Sequence, residues 1–244
     1  MRTVKGRIHS VVTGGMVDGP GIRFVVFTQG CPLRCLYCHN PDTWKKSGGR
    51  EVTVAEIIDH AKTYKRYMEA SGGGITVTGG EPLMQPDFVE ALLKEARSLG
   101  IHTAVDTSGF GTEEARKRVL LNADLVLLDM KSINPSTFKK VSGVERDSTL
   151  AALAELREAK IPVWIRHVVV PGLTDELEDA RELARVLSEY DNIEKIEILP
   201  FHKLGEFKWQ ELGLNYTLGE TQPPAKDLID TIRQIFREVG FTVT

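Results

Sequence analysis

Six short apolar runs recur along this chain, each followed by a polar or glycine-rich turn and then usually by a stretch at helical spacing. Residues 23–28, 74–78, 103–107, 124–129, 163–170 and 193–199 read as strands. Between them the periodicity predicts helices over 51–70, 86–99, 113–121, 135–141, 148–159 and 175–190, with a terminal helix over 225–239. Thr53 is a candidate cap for the first, and Gly100 ends the second. A short strand is expected at 241–244, and 203–223 carries no clear period and reads as a long loop. Strands that alternate with helices pair in parallel through right-handed crossovers. Near-continuous apolar strands suit a sheet covered on both faces. A doubly wound sheet and a partial barrel both satisfy this pattern, since six units fall short of the eight of a closed (β/α)8 barrel.

The chain has 244 residues, which suits one α/β domain better than two small ones. A net charge of −3 gives no reason to expect non-specific nucleic-acid binding. The first residues, Met1 to Gly6, lack the apolar core of a signal peptide, and no apolar run approaches the roughly 20 residues of a membrane helix. A cytoplasmic location is therefore expected.

The chemistry-bearing residues gather at one end of the predicted strands. In parallel α/β sheets ligands bind beyond the carboxyl ends of the strands. The first run leads into Cys31, Cys35 and Cys38, and the second into Gly79-Gly80-Glu81-Pro82. The third ends in Asp106-Thr107, the fourth in Asp129-Met130-Lys131, and the sixth in Pro200-Phe201-His202. Arg166 lies within the fifth. Glycines at 79 and 80 allow close backbone approach or positive φ. Glu81 could accept from an ammonium. Asp106 and Asp129 would repel if they converged, unless a cation, Lys131 or Arg166 lay between them. For each group a plain structural reading also stands: a tight turn, a helix cap, a salt bridge, or core packing for Tyr37.

All three cysteines fall within eight residues, Cys31-Pro-Leu-Arg-Cys35-Leu-Tyr-Cys38. Three thiolates are one short of a closed tetrahedral zinc site. A cubane iron–sulfur cluster on three cysteines keeps one iron open to a small molecule. Zinc with His39 as fourth ligand is the competing reading. It is geometrically poor because Cys38 and His39 are adjacent.

The C-x3-C-x2-C spacing followed by His39-Asn40, together with the GGEP run, resembles the radical S-adenosylmethionine (SAM) superfamily. The stretch Gly6-Arg7-Ile8-His9-Ser10, then Asp18-Gly19-Pro20-Gly21-Ile22-Arg23, is similar to the N-terminal strap of its glycyl-radical activating enzymes. The resemblance extends through DTSGF, LDMK, VWIRHVVVPG and EKIEILPFHxLGxxKW, and is nearest to the members that act on pyruvate formate-lyase. No cysteines remain for the second, ferredoxin-like cluster domain that many other activating enzymes carry.

The resemblance implies a laterally open partial (β/α)6 barrel in a single domain. A strap would cover 1–23, the barrel core 24–202, and a C-terminal loop, helix and strand 203–244. It implies a [4Fe-4S] cluster on Cys31, Cys35 and Cys38. SAM would be held by Tyr37, Cys38, His39, Asn40, Gly79, Gly80, Glu81, Asp129, Met130, Lys131, Arg166 and His202. A monovalent cation would sit at Asp106, Thr107, Leu127 and Asp129, and Asp18 would meet a glycine-bearing loop of the partner. The partner implied is pyruvate formate-lyase or a close 2-ketoacid formate-lyase, with flavodoxin or ferredoxin as electron donor. A radical SAM enzyme acting on a small molecule, and a non-catalytic zinc or electron-transfer protein, are the other classes. His9, His60, His102 and His167 read as structural or surface residues.

Overall fold

The computed structural model describes residues 2–244. Its strands are β1 Lys5–Gly15, β2 Arg23–Thr28, β3 Arg50–Thr53, β4 Gly74–Gly79, β5 His102–Thr107, β6 Leu125–Asp129, β7 Val163–Val169 and β8 Ile193–Pro200. Its helices are α1 Val54–Lys62, α2 Lys65–Ser71, α3 Pro86–Ser98, α4 Glu113–Leu120, α5 Pro135–Ser142, α6 Asp147–Glu158, α7 Leu177–Leu187, α8 Glu206–Glu211 and α9 Lys226–Glu238. The eight strands form an open sheet in the order β3-β1-β2-β4-β5-β6-β7-β8. The β2–β4, β4–β5 and β7–β8 pairs are parallel, as the alternation with helices requires.

The chain divides into two compact units, the first running up to Pro32 and over Thr43–Leu127, the second over Leu33–Asp42 and Leu128–Thr244. In the first, β2 buries Phe24, Val25 and Val26 completely, and β4 buries Ile75 and Val77. α1 covers this sheet with Ile57, Ile58 and Ala61, and α3 with Leu92, Leu93 and Ala96. Each large aliphatic side chain removed from water in this way contributes about 1.5–3 kcal/mol.

Two strands were not expected. β1 pairs antiparallel with both β2 and β3, where the sequence suggested only a strap. Register shifts after Ile8 and after Val12 break its inward–outward alternation, which hides the period-two signal. The predicted helix 51–70 is three elements. A capping box between Thr53 and Glu56 starts α1 and leaves β3 ahead of it. Thr63 then donates its hydroxyl to the His60 carbonyl at 2.7 Å, and Tyr64 leaves helical geometry before α2 begins.

In the second unit β7 alternates cleanly, with Val163, Ile165, His167 and Val169 buried. α7 turns Ala180, Leu183, Ala184 and Leu187 inward, and α9 does the same with Ile229, Ile232, Ile235 and Phe236. The expected strand at 241–244 is only an isolated bridge, Val243 to Ile196. The expected long loop contains α8. Among the described residues no helix is long and apolar enough to cross a membrane.

Candidate functional site

In the first unit the glycine turn lies flush against the backbone that leads into Cys31. Gly80 N–H donates to the Thr28 carbonyl at 2.8 Å, and Glu81 N–H to the Gly30 carbonyl at 2.9 Å. Gly79 has φ +107°, and a Cβ there would sit 2.4 Å from the Thr28 nitrogen. A Cβ on Gly80 would sit 2.4 Å from the Gly30 carbonyl oxygen. The chain's own backbone therefore already requires both glycines. Cys31 is held from the other side by its N–H to the Trp44 carbonyl, 3.2 Å.

Glu81, expected as an acceptor for an ammonium, is 2% exposed and engaged within the chain. Its carboxylate accepts from the Thr107 hydroxyl at 2.5 Å, the Ser108 hydroxyl at 2.6 Å, and the N–H groups of Ser108 and Leu83 at 3.0 and 3.1 Å. Burial pushes its pKa up, and these donors pull against that. Glu81 thus ties the end of β5 to the turn after β4. Glu81→Ala leaves buried donors unpaired and is expected to cost about 3 kcal/mol, read by urea denaturation. A loss under about 1 kcal/mol would contradict this bracing role.

Thr107, expected at a cation, directs its hydroxyl to Glu81. Asp106 accepts from the Thr78 hydroxyl at 3.0 Å. Leu127 is fully buried in β6. Asp18 lies in the turn between β1 and β2, and its backbone carbonyl accepts from the Thr76 hydroxyl at 2.7 Å. Beneath that turn Arg23 is completely buried. It donates to Thr76 Oγ1 at 2.8 Å, the Ile75 carbonyl at 2.5 Å and the Pro20 carbonyl at 3.4 Å. Burial pulls its pKa down to about 10, against the pull of Asp18 and Asp124.

In the second unit the cysteine loop rests on α5. Arg34 N–H donates to the Ser142 carbonyl at 2.8 Å, and Leu36 N–H to that of Val141 at 2.9 Å. Tyr37 sinks into a cluster with Val141, Val170, Phe201 and Leu218. Among the described residues its hydroxyl is buried without a hydrogen-bond partner. Lys131 Nζ lies 5.4 Å from the Tyr37 ring centre and donates to Asp129 at 2.5 Å. Burial raises the phenol pKa, and Lys131 opposes it. Burial also works against the charge on Lys131, but Asp129, with Tyr37 and Cys35 alongside, outweighs it and holds the ammonium well above the ordinary lysine range. Tyr37, Asp129 and Lys131 are therefore brought together.

Met130 is buried, its N–H bonded to the Arg166 carbonyl at 2.9 Å and its carbonyl 2.9 Å from the His167 ring. The Arg166 side chain, expected to face SAM, makes a shielded ion pair with Glu197, 3.1 Å. His39 Nε2 lies 3.1 Å from the His202 carbonyl, with the two rings 4.4 Å apart. Burial lowers the His39 pKa. Lys208, Trp209 and Gly205 also meet the segment after Cys38. All three belong to the shared EKIEILPFHxLGxxKW stretch, but 203–223 lacks a period and so gives no sign of what they touch.

None of the three cysteines is in a disulfide, and all three are half-buried. Among the described residues no group of three His, Cys, Asp or Glu side chains is arranged for a single metal ion. Three unoxidised thiols on irregular chain suit an iron–sulfur cluster in donor chemistry.

Residues 25–184 match the radical SAM superfamily, and the chain is a member of it. It is 46% identical, over 98% of its length and 96% of the relative's, to the pyruvate formate-lyase-activating enzyme of Staphylococcus epidermidis. A crystal structure of a domain of pyruvate-formate lyase-activating enzyme from Bacteroides vulgatus superimposes with TM-score 0.60 at 28% identity, covering 71% of this chain and 98% of that one. Streptococcus suis SuiB bound to precursor peptide SuiA shares the fold, with TM-score 0.68 at 14% identity over 96% of this chain and 50% of that one. The chain belongs to the family of pyruvate formate-lyase-activating enzymes.

Proposed function

We propose that this enzyme activates pyruvate formate-lyase by installing a glycyl radical on it. The observation that carries the reading is the 46% identity, over 98% of the chain, to a named activating enzyme, joined to three cysteines outside any disulfide at the family's spacing. When bound, a [4Fe-4S] cluster supplies one electron that cleaves SAM to methionine and a 5′-deoxyadenosyl radical, which takes a hydrogen atom from a glycine Cα of the partner.

The chain's own part is to hold and orient. Cys31, Cys35 and Cys38 supply the thiolates. The backbone edge at Gly79 and Gly80, the Asp129–Lys131 pair with Met130 between them, and His39, Asn40, Arg166 and His202 are the groups assigned to SAM. Tyr37 supplies an apolar face with Lys131 above it. Glu81 serves the same site by bracing the glycine turn. Asp106, Thr107, Leu127 and Asp129 are assigned to a monovalent cation that balances the SAM carboxylate. A flavodoxin or ferredoxin in the cytoplasm is the proposed electron source.

Asp18 is assigned to the partner's glycine loop, accepting from its backbone N–H groups. Arg23 and Thr76 hold the backbone of that turn. Asp18→Ala is expected to slow activation about tenfold, the worth of one hydrogen bond to a charged acceptor, with SAM affinity nearly unchanged. Equal activation rates for variant and parent would remove Asp18 from the assignment. The function itself is tested by mixing the reconstituted, reduced protein with SAM and pyruvate formate-lyase without oxygen. The lyase is expected to gain turnover only when all components are present, and a lyase that stays inactive would overturn the reading.

A further inference from the structure

We infer that residues 202–209 form a brace on the third cysteine of the cluster motif, with Trp209 as its positioning residue. The inference rests on the proposed cluster role of Cys38 and concerns how that residue is held.

The Trp209 indole N–H donates to the Cys38 carbonyl at 2.8 Å. Trp209 is 6% exposed, and its ring lies 5.3 Å from that of Tyr216. A buried indole N–H needs an acceptor, and a buried carbonyl in irregular chain needs a donor. Here each satisfies the other. Neighbouring contacts fall on the residues that follow. Lys208 Nζ donates to Asn40 Oδ1 at 2.9 Å and pairs with Asp42 at 3.0 Å. His39 bonds the His202 carbonyl, and a Cβ on Gly205 would lie 2.6 Å from the His39 Cα. Residues 38, 39, 40 and 42 are thus each held from the 202–209 segment.

A second bond to the Cys38 backbone is local, from its N–H to the Cys35 carbonyl at 3.0 Å. That turn orients Cys38 relative to Cys35 only. The indole fixes the peptide plane on the far side of Cys38, so the direction of its Sγ depends on α8. Residues around metal ligands act in this way, setting ligand orientation and solvent access. Sequence spacing could not show this, because 38 and 209 are 171 residues apart.

Trp209→Phe keeps an aromatic ring and removes the N–H. In metal-free protein, amide exchange across 36–42 is expected to rise about fivefold, the worth of one ordinary hydrogen bond. After reconstitution, iron loss to a chelator is expected to accelerate by about the same factor. The electron paramagnetic resonance line shape of the reduced cluster should shift as well. Phe207→Ala, an exposed change on the same helix, should leave all three at parent values. Parent-like exchange and iron loss in Trp209→Phe would overturn the brace. If that variant does not fold, Lys208→Met, which removes the contacts to Asn40 and Asp42, is read the same way with the same two outcomes. A parent that binds no iron would refute the cluster reading instead, and amide exchange in the metal-free protein would still decide the brace.

Discussion

Replacing Cys31, Cys35 or Cys38 with alanine, one at a time, is expected to reduce SAM cleavage to background while leaving the fold intact. In the proposed function each thiolate is one of three anchors for the cluster, and a pair of cysteines cannot hold it in place. The fold survives because all three side chains are half-buried on irregular chain and none belongs to the apolar core. Substitutions at such places usually change stability by about 0.5 kcal/mol or less. Iron content, 5′-deoxyadenosine yield and circular dichroism, measured on the same samples, separate the two effects. Cleavage retained in any of the three variants would refute its role as a ligand.

Gly79→Ala is expected to destabilise the protein strongly. The residue sits at φ +107° with the Thr28 nitrogen 2.4 Å from the new methyl group. Backbone strain of this kind costs roughly 1–3 kcal/mol, and overlap with atoms that cannot swing aside adds about 1–3 kcal/mol. The expected loss is about 4 kcal/mol, read from urea midpoints. Gly172→Ala is the control: φ is +76° and nothing lies within 4 Å of the new atom. It should cost only about 1 kcal/mol. Equal losses in the two variants would contradict the close fit of the glycine turn against β2.

The parallel strands were legible because each buries a short apolar run between turn residues. β2, for instance, exposes almost nothing from Phe24 to Val26. The 51–70 stretch was misread for local reasons. Val54, Ile57, Ile58 and Ala61 keep helical spacing, but the helix stops at Thr63 and Tyr64 leaves helical geometry without glycine or proline to announce it. β1 was missed because its two register shifts scramble the alternation. In the site, residue types were readable from the strand ends, whereas their partners were not. Glu81 reads as a free acid in sequence, and only folding delivers Thr107 and Ser108 to it. Trp209 stands in a stretch shared with the family, but nothing in the sequence pairs it with Cys38, 171 residues away.

The central claim is tested most directly by low-temperature electron paramagnetic resonance on the anaerobic reaction. The reconstituted protein is reduced, SAM and pyruvate formate-lyase are added, and the spectrum is followed for a glycyl radical doublet. The account predicts a doublet that needs both SAM and this protein and is absent with Cys38→Ala. Formation of 5′-deoxyadenosine with no doublet on the lyase would contradict it, leaving the radical chemistry with a different partner.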